Sequence, residues 1–221
     1  MTYLKRIPIL IVALSVLLAG AGGAASSVAA SAVTAAPVKG EFVGPTAHWR
    51  ADIGLSTNGK QVIAYLCNGT TRHVSLAQWF KGPVTSSRID ITNAHGTHLV
   101  ATVSAHAIKG TVTLKGGRST PFTARLLPST SRRYGLFRSE ETLKGARYLG
   151  GWILVPRAKA RAHMAGQAFL ASAAPPLIRI GGIINVRTGA LIVSPPLRNL
   201  VSVTVPHLGT FRLTRCHQAH C

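Results

Sequence analysis

From Phe42 to Val155, short apolar or alternating runs are interrupted every ten or so residues by turn-forming residues. That rhythm predicts an all-β chain, an antiparallel meander closing into a small barrel or stacking as a sandwich. "AHWRADIGL" and "QVIAYLC" flank "STNGK", whose Asn58 and Gly59 both tolerate positive φ, so a hairpin is predicted there. "RIDIT" and "HLVATVSA" flank "NAHGT", "GTVTLK" follows "AHAIKG", and "TPFTARLL" follows "GGRS". Each of these loops carries a glycine at or beside its tip, and each run is rich in Val, Thr, Ile or Leu. "RYGLFRSEET" and "ARYLGGWILVP" add two more strands, for about eight in a main β domain over 41–156. "SLAQWFKGPV" fits either a strand carrying its aromatics inward or a single helical turn.

After Pro156 the pattern changes. Residues 157–176, "RAKARAHMAGQAFLASAAPP", predict a basic, Ala/Pro-rich linker or a short helix ended by Gly166 and the Pro175-Pro176 pair. The β pattern returns in "LIRIGGIINVRTGALIVSPPL" and "LVSVTVPHLGTFRLTRC", with a hairpin expected around Thr188-Gly189. Residues 177–221 therefore read as a short β-rich C-terminal extension that completes the main sheet or forms an appendage.

The amino end changes the picture by adding a compartment. Lys5 and Arg6 precede an uncharged run from Ile7, followed by small residues with several A-x-A-like ends, the layout of a secretory signal peptide over 1–36. An uncleaved anchor is the competing reading, since Ile7 to Ala25 approaches the length needed to cross ~30 Å of bilayer at ~1.5 Å per residue. The Gly, Ala and Ser after Ala19 suit a cleavage region better. The expected location is secreted or in the cell envelope, with membrane attachment only if the leader stays uncleaved.

Charge adds a class of partner. Lys and Arg number 25 against 5 acidic residues, a net +20, or +18 without Lys5 and Arg6. Such an excess favours polyanions, including anionic envelope polymers, through nonspecific attraction rather than sequence-specific nucleic-acid reading. Most cations stand singly; clusters occur at 131–138 and 156–163, making Arg132, Arg133, Arg157, Lys159 and Arg161 the candidate anion-binding patch.

Several fragments in order, "VIAYLCNGT", "WFKGPV", "IKGTVTL", "PFTA", "YGLFR", "YLGGWILVP" and "APPL", carry a resemblance. Over residues 41–205 the chain resembles a group of exported actinobacterial β-domain proteins. That group shows an A-Y-x-C-[DN]-G-T strand end, then F-x-A, G-L-[YF]-R and G-W-I-[VL]. The resemblance implies an exported β domain and an actinobacterial origin, and it brings no catalytic residue. The chain departs from the group in its charge and in "LVPRAKARAHM", where relatives have a polar Asp-Gly turn.

Candidate chemistry is sparse. Glu41, Asp52, Asp90, Glu140 and Glu141 are all the carboxylates, and Glu140 and Glu141 point to opposite faces of a strand, so paired-carboxylate catalysis and calcium binding are disfavoured. No G-x-S-x-G elbow is present, the nearest string being "GLSTNG". A Cys67–His nucleophile is disfavoured by export, where thiols become disulfides. The terminal "CHQAHC" lacks the C-x-x-C-H order of haem attachment, and its adjacent Cys–His pairs are too cramped for a usual zinc site. No cofactor or metal is expected. A disulfide between Cys67 and Cys216 is expected, closing a loop of about 150 residues worth on the order of 4–5 kcal/mol. Cys221 would then be free, intermolecular, or the partner in place of Cys216. His95, His98 and His106 read as solvated, and Trp49, Trp79 and Trp152 as barrel core or rim. The favoured function is a non-catalytic binding or structural module, with a weak polyanion binder second and an enzyme with an unrecognised site third.

Overall fold

The computed structural model describes residues 37–70, 72–129, 134–156, 177–195, 197 and 200–221. The predicted leader, the 157–176 linker and the cations Arg132, Arg133, Arg157, Lys159 and Arg161 lie outside these residues. Every regular element described is a β-strand.

Eight strands form a closed antiparallel barrel in chain order: β1 (Gly40–Pro45), β2 (Asp52–Thr57), β3 (Gln61–Cys67), β4 (Ala77–Thr85), β5 (Arg88–Thr92), β6 (His98–Val103), β7 (Ala107–Thr113) and β8 (Ser119–Leu126). Phe42 and Val43 of β1 pair with Leu126 and Arg125 of β8 to close it. The turn chemistry works as expected. At the β2–β3 hairpin Gly59 takes φ +86°, while the Asn58 carboxamide accepts the N–H groups of Lys60 and Gln61 at 2.9 and 2.8 Å. "SLAQWFKGPV" contributes a strand, with Phe80 inside the barrel and Trp79 on its outer wall.

The barrel is solid. Phe42, Leu55, Leu66, Phe80, Leu99, Ile108 and Phe122 meet across its axis, none more than 4% exposed. An eight-stranded barrel is just wide enough for side chains to fill, and each fully buried one contributes about 1.5–3 kcal/mol.

The barrel is complete at Leu126, not at Pro156. β9 (Gly135–Leu143) and β10 (Ala146–Pro156), expected in the main domain, instead belong to a second sheet with β11 (Leu177–Asn185), β12 (Leu191–Val193) and β15 (Thr214–Arg215), ordered β12-β11-β10-β9-β15. The physical reason is closure: once β8 pairs with β1, the barrel has no free edge for β9. A separate hairpin, β13 (Ser202–Val205) and β14 (Gly209–Arg212), covers the far side of this sheet.

The second sheet is buried on both faces. Leu136, Ile153 and Ile184 pack against Val43, Ile63, Tyr65 and Cys67 on the outer wall of β1 and β3. Phe137, Trp152, Leu154 and Ile183 pack against Val203, Val205 and Phe211. This layering explains why "QVIAYLC" is buried without interruption after Gln61, whereas "RIDIT", whose outer face meets solvent, alternates. The glycine pairs of β10 and β11 make room at the contact, where Gly151 pairs with Gly182. A Cβ on Gly151 would lie 2.5 Å from the Tyr65 ring. Tyr65 Oη donates to the Gly182 carbonyl at 3.1 Å.

Candidate binding cleft

The carboxylates are already occupied, with one exception. Glu41 is buried and receives Arg215 Nε at 3.0 Å and His217 Nδ1 at 3.2 Å. Asp90, on the surface, is held below the usual carboxylate range by its hydrogen bonds from His98 and Arg88. Glu140 pairs with Arg138 at 2.6 Å and with Arg147, while neighbouring Glu141 turns away to accept the Arg212 backbone N–H at 3.0 Å. Asp52 has no hydrogen-bond or ion-pair partner among the described residues, and burial pushes its carboxyl up to about 6.

Asp52 stands opposite Cys67 in the β2–β3 register. Burial pushes the Cys67 thiol up to about 11, outweighing the hydrogen bond from the Gly69 N–H that favours its thiolate. A thiol so protonated is a poor nucleophile. Cys67 is free.

The expected Cys67–Cys216 bond is corrected: Cys216 is joined to Cys221, with Cα atoms 4.2 Å apart. Two distances decide this. Cys67 Sγ lies 3.5 Å from where a Cβ on Gly182 of β11 would sit, whereas Cys216 follows the edge strand β15, beyond β10 and β9 in the same sheet. Three strand spacings separate β11 from β15, roughly 14 Å, against a limit of about 7 Å between bridged Cα atoms. Meanwhile "CHQAHC" folds on itself. The His217 N–H donates to the His220 carbonyl at 2.8 Å and the His220 N–H to that of His217 at 3.0 Å. Gln218 and Ala219 take φ +49° and +63°, the values of a two-residue hairpin turn. The cysteines flank that hydrogen-bonded pair, and across such a hairpin the next pair brings its Cα atoms closest. Both sulfurs are thereby withdrawn as metal ligands, and no three His, Cys, Asp or Glu side chains converge among the described residues.

This small hairpin is fastened to β9 and to the barrel. The Cys216 N–H donates to the Leu136 carbonyl at 2.8 Å, the Ala219 N–H to the buried Ser56 hydroxyl at 3.2 Å, and Arg215 and His217 reach Glu41. It forms one wall of a cleft of about 420 Å³ whose other walls are β3, β4, the end of β5 and the β9–β10 face.

The cleft exists because β4 and β5 part. Their ladder contains only Thr85↔Arg88 and Val84↔Ile89. The next pair would oppose Pro83 to Asp90, and proline has no N–H to donate. Beyond it, the Asn93 carboxamide bridges the seam, donating to Gln78 Oε1 at 2.8 Å and the Trp79 carbonyl at 3.2 Å.

Ile63, Trp79 and Leu149 supply apolar surface, the ionisable side chains of the lining are Lys81, Arg138 and His220, and the last residue, Cys221, also lines it. Trp79 is stacked, tilted, on Tyr65 at 4.6 Å, with the Arg138 guanidinium 5.6 Å over its ring. The three tryptophans therefore divide: Trp152 is core, its indole N–H bonded to Ser194 Oγ at 2.7 Å, Trp49 packs at the barrel core, and Trp79 faces the cleft. Sequence reasoning missed the cleft. Its one local signal is the alternation of Trp79 and Lys81, which places both on the outer face of β4. No protein family, curated protein or solved structure matches the chain.

Proposed function

We propose that this protein is an exported, non-catalytic binding module of the cell envelope or extracellular space that binds on the flank of its barrel. The observation that carries this reading is the cleft beside a filled barrel: side chains occupy the interior, and among the described residues a concave surface lies between β4, β5 and the terminal hairpin. The Cys216–Cys221 bridge suits an oxidising compartment, in keeping with the signal-like leader and the resemblance to exported actinobacterial β domains. The occupied state of four carboxylates and the protonated state of Cys67 speak against acid–base or thiol chemistry.

A thermal-shift screen of wall-derived fragments and small metabolites tests the reading. Ligands that raise the melting temperature of the wild type should lose that effect in Ala94→Trp, which fills the cleft from an exposed loop. Equal shifts in both proteins would place binding elsewhere and end the proposal. A second reading, weak polyanion adhesion, draws on the +20 net charge. It predicts retention on a polyanion column that falls in proportion to total charge, whichever cations are removed.

A further inference from the structure

We infer that the cleft takes a small organic anion: an oxyanion head, carboxylate or phosphate, on an apolar or ring-bearing body. This inference rests on the flank-binding reading above and adds the ligand's chemistry. Every lining side chain capable of carrying charge is basic, the one acidic group in the lining being the α-carboxylate of the last residue, Cys221. The nearest acids along the strands cannot compensate for an incoming cation: Glu140 is held by Arg138 and Arg147, and Asp90 by Arg88 and His98. A cationic ligand would therefore meet like charge with no side-chain carboxylate to pair with.

The cations are not equivalent. Arg138 is committed to Glu140 and to the Trp79 face, which fixes it as part of the wall. Lys81 is exposed and no described residue pairs with its ammonium, so it is the group available to an anion. Its backbone adds a donor. The Val84 N–H is spent on the Lys60 carbonyl, on the β3 side, so by strand alternation Lys81 turns its own N–H toward the parted β4–β5 seam. The Thr92 hydroxyl, across that seam, lines the same space.

The body of the ligand follows from the rest of the lining. Ile63 is paired with Lys81 in the β3–β4 register, so an apolar side chain adjoins the ammonium. With Leu149 and the edge of Trp79 it forms a surface for a ring or short hydrocarbon. A volume of about 420 Å³ lies in the range of small-molecule sites and is too small for a folded partner.

Titration calorimetry with 2-naphthoate, 2-naphthyl phosphate and the neutral 2-naphthylmethanol decides the matter, and the two acids distinguish a carboxylate from a phosphate preference. At least one acid should bind about tenfold or more tightly than the alcohol. Lys81→Gln should weaken that acid about tenfold and leave the alcohol unchanged, while Lys109→Gln, the same charge loss on the exposed outer face of β7, should change neither. Comparable binding of acid and alcohol, abolished by Ala94→Trp, would overturn the anion inference and leave the cleft standing. Equal losses in Lys81→Gln and Lys109→Gln would reduce it to general attraction by a basic surface. No binding by any of the three probes, with all proteins folded, would overturn the inference and the flank-binding reading together.

Discussion

Replacing Asp52 by Asn should stabilise the protein at neutral pH and do nothing in acid. Asp52 lies at the start of β2, partly buried, with no cation or N–H donor facing its carboxylate among the described residues. Its folded carboxyl titrates near 6 because burial penalises the charged form, against 3.8 for the free side chain. The sign follows from proton binding. Between about pH 4 and 6 the folded protein holds a proton that the unfolded chain has released, so stability falls as pH rises through this window and is level above it. Two pH units correspond to roughly 3 kcal/mol, and partial solvent access lowers the expected gain at pH 8 to about 1–3 kcal/mol. At this chain length that is a rise of about 2–12 °C in melting temperature. Urea unfolding of both proteins from pH 3.5 to 8 measures the difference directly, other carboxyls cancelling between them. The curves should coincide near pH 3.5 and separate by pH 7. A difference that stays constant with pH, or an Asn variant less stable at pH 8, would refute the assignment of an unpaired buried carboxylate.

Glu41→Gln should cost about 3 kcal/mol in chemical denaturation, because it leaves the partly buried Arg215 without its counter-charge and loosens the terminal hairpin. Reduction, or Cys216→Ser, should cost only about 2 kcal/mol, since the bridge closes a short loop rather than one of about 150 residues. Peptide mapping should recover Cys216 linked to Cys221, and Cys67 should resist aromatic disulfide reagents until denaturant is added. A mixed disulfide of Cys67 with the reagent in the native protein would contradict its burial.

What the amino-acid order determines here is local. Asn58-Gly59 and Thr188-Gly189 turn the chain where expected, because positive φ is a property of the residue and its neighbours, and Gly59 and Gly189 adopt it at +86° and +71°. The opposite orientation of Glu140 and Glu141 follows from the pleat alone. The β-rich C-terminal stretch and the absence of helix among the described residues were likewise legible, since period and turn spacing act over ten residues or fewer, whereas 41–156 holds ten strands rather than about eight. Closure at Leu126 was not, because whether β8 returns to β1 depends on barrel geometry summed over eight strands, and "RYGLFRSEET" reads the same in either sheet. Nor was the cysteine pairing. It turns on where β3 of the barrel sets Cys67 against the second sheet and where β15 sets Cys216, a separation of strands that no spacing along the chain encodes. The cleft belongs to the same class: Pro83 announces a broken ladder, but Trp79, Arg138 and His220 come from three distant segments, and only packing of the second sheet and the terminal hairpin against the barrel brings them to one place.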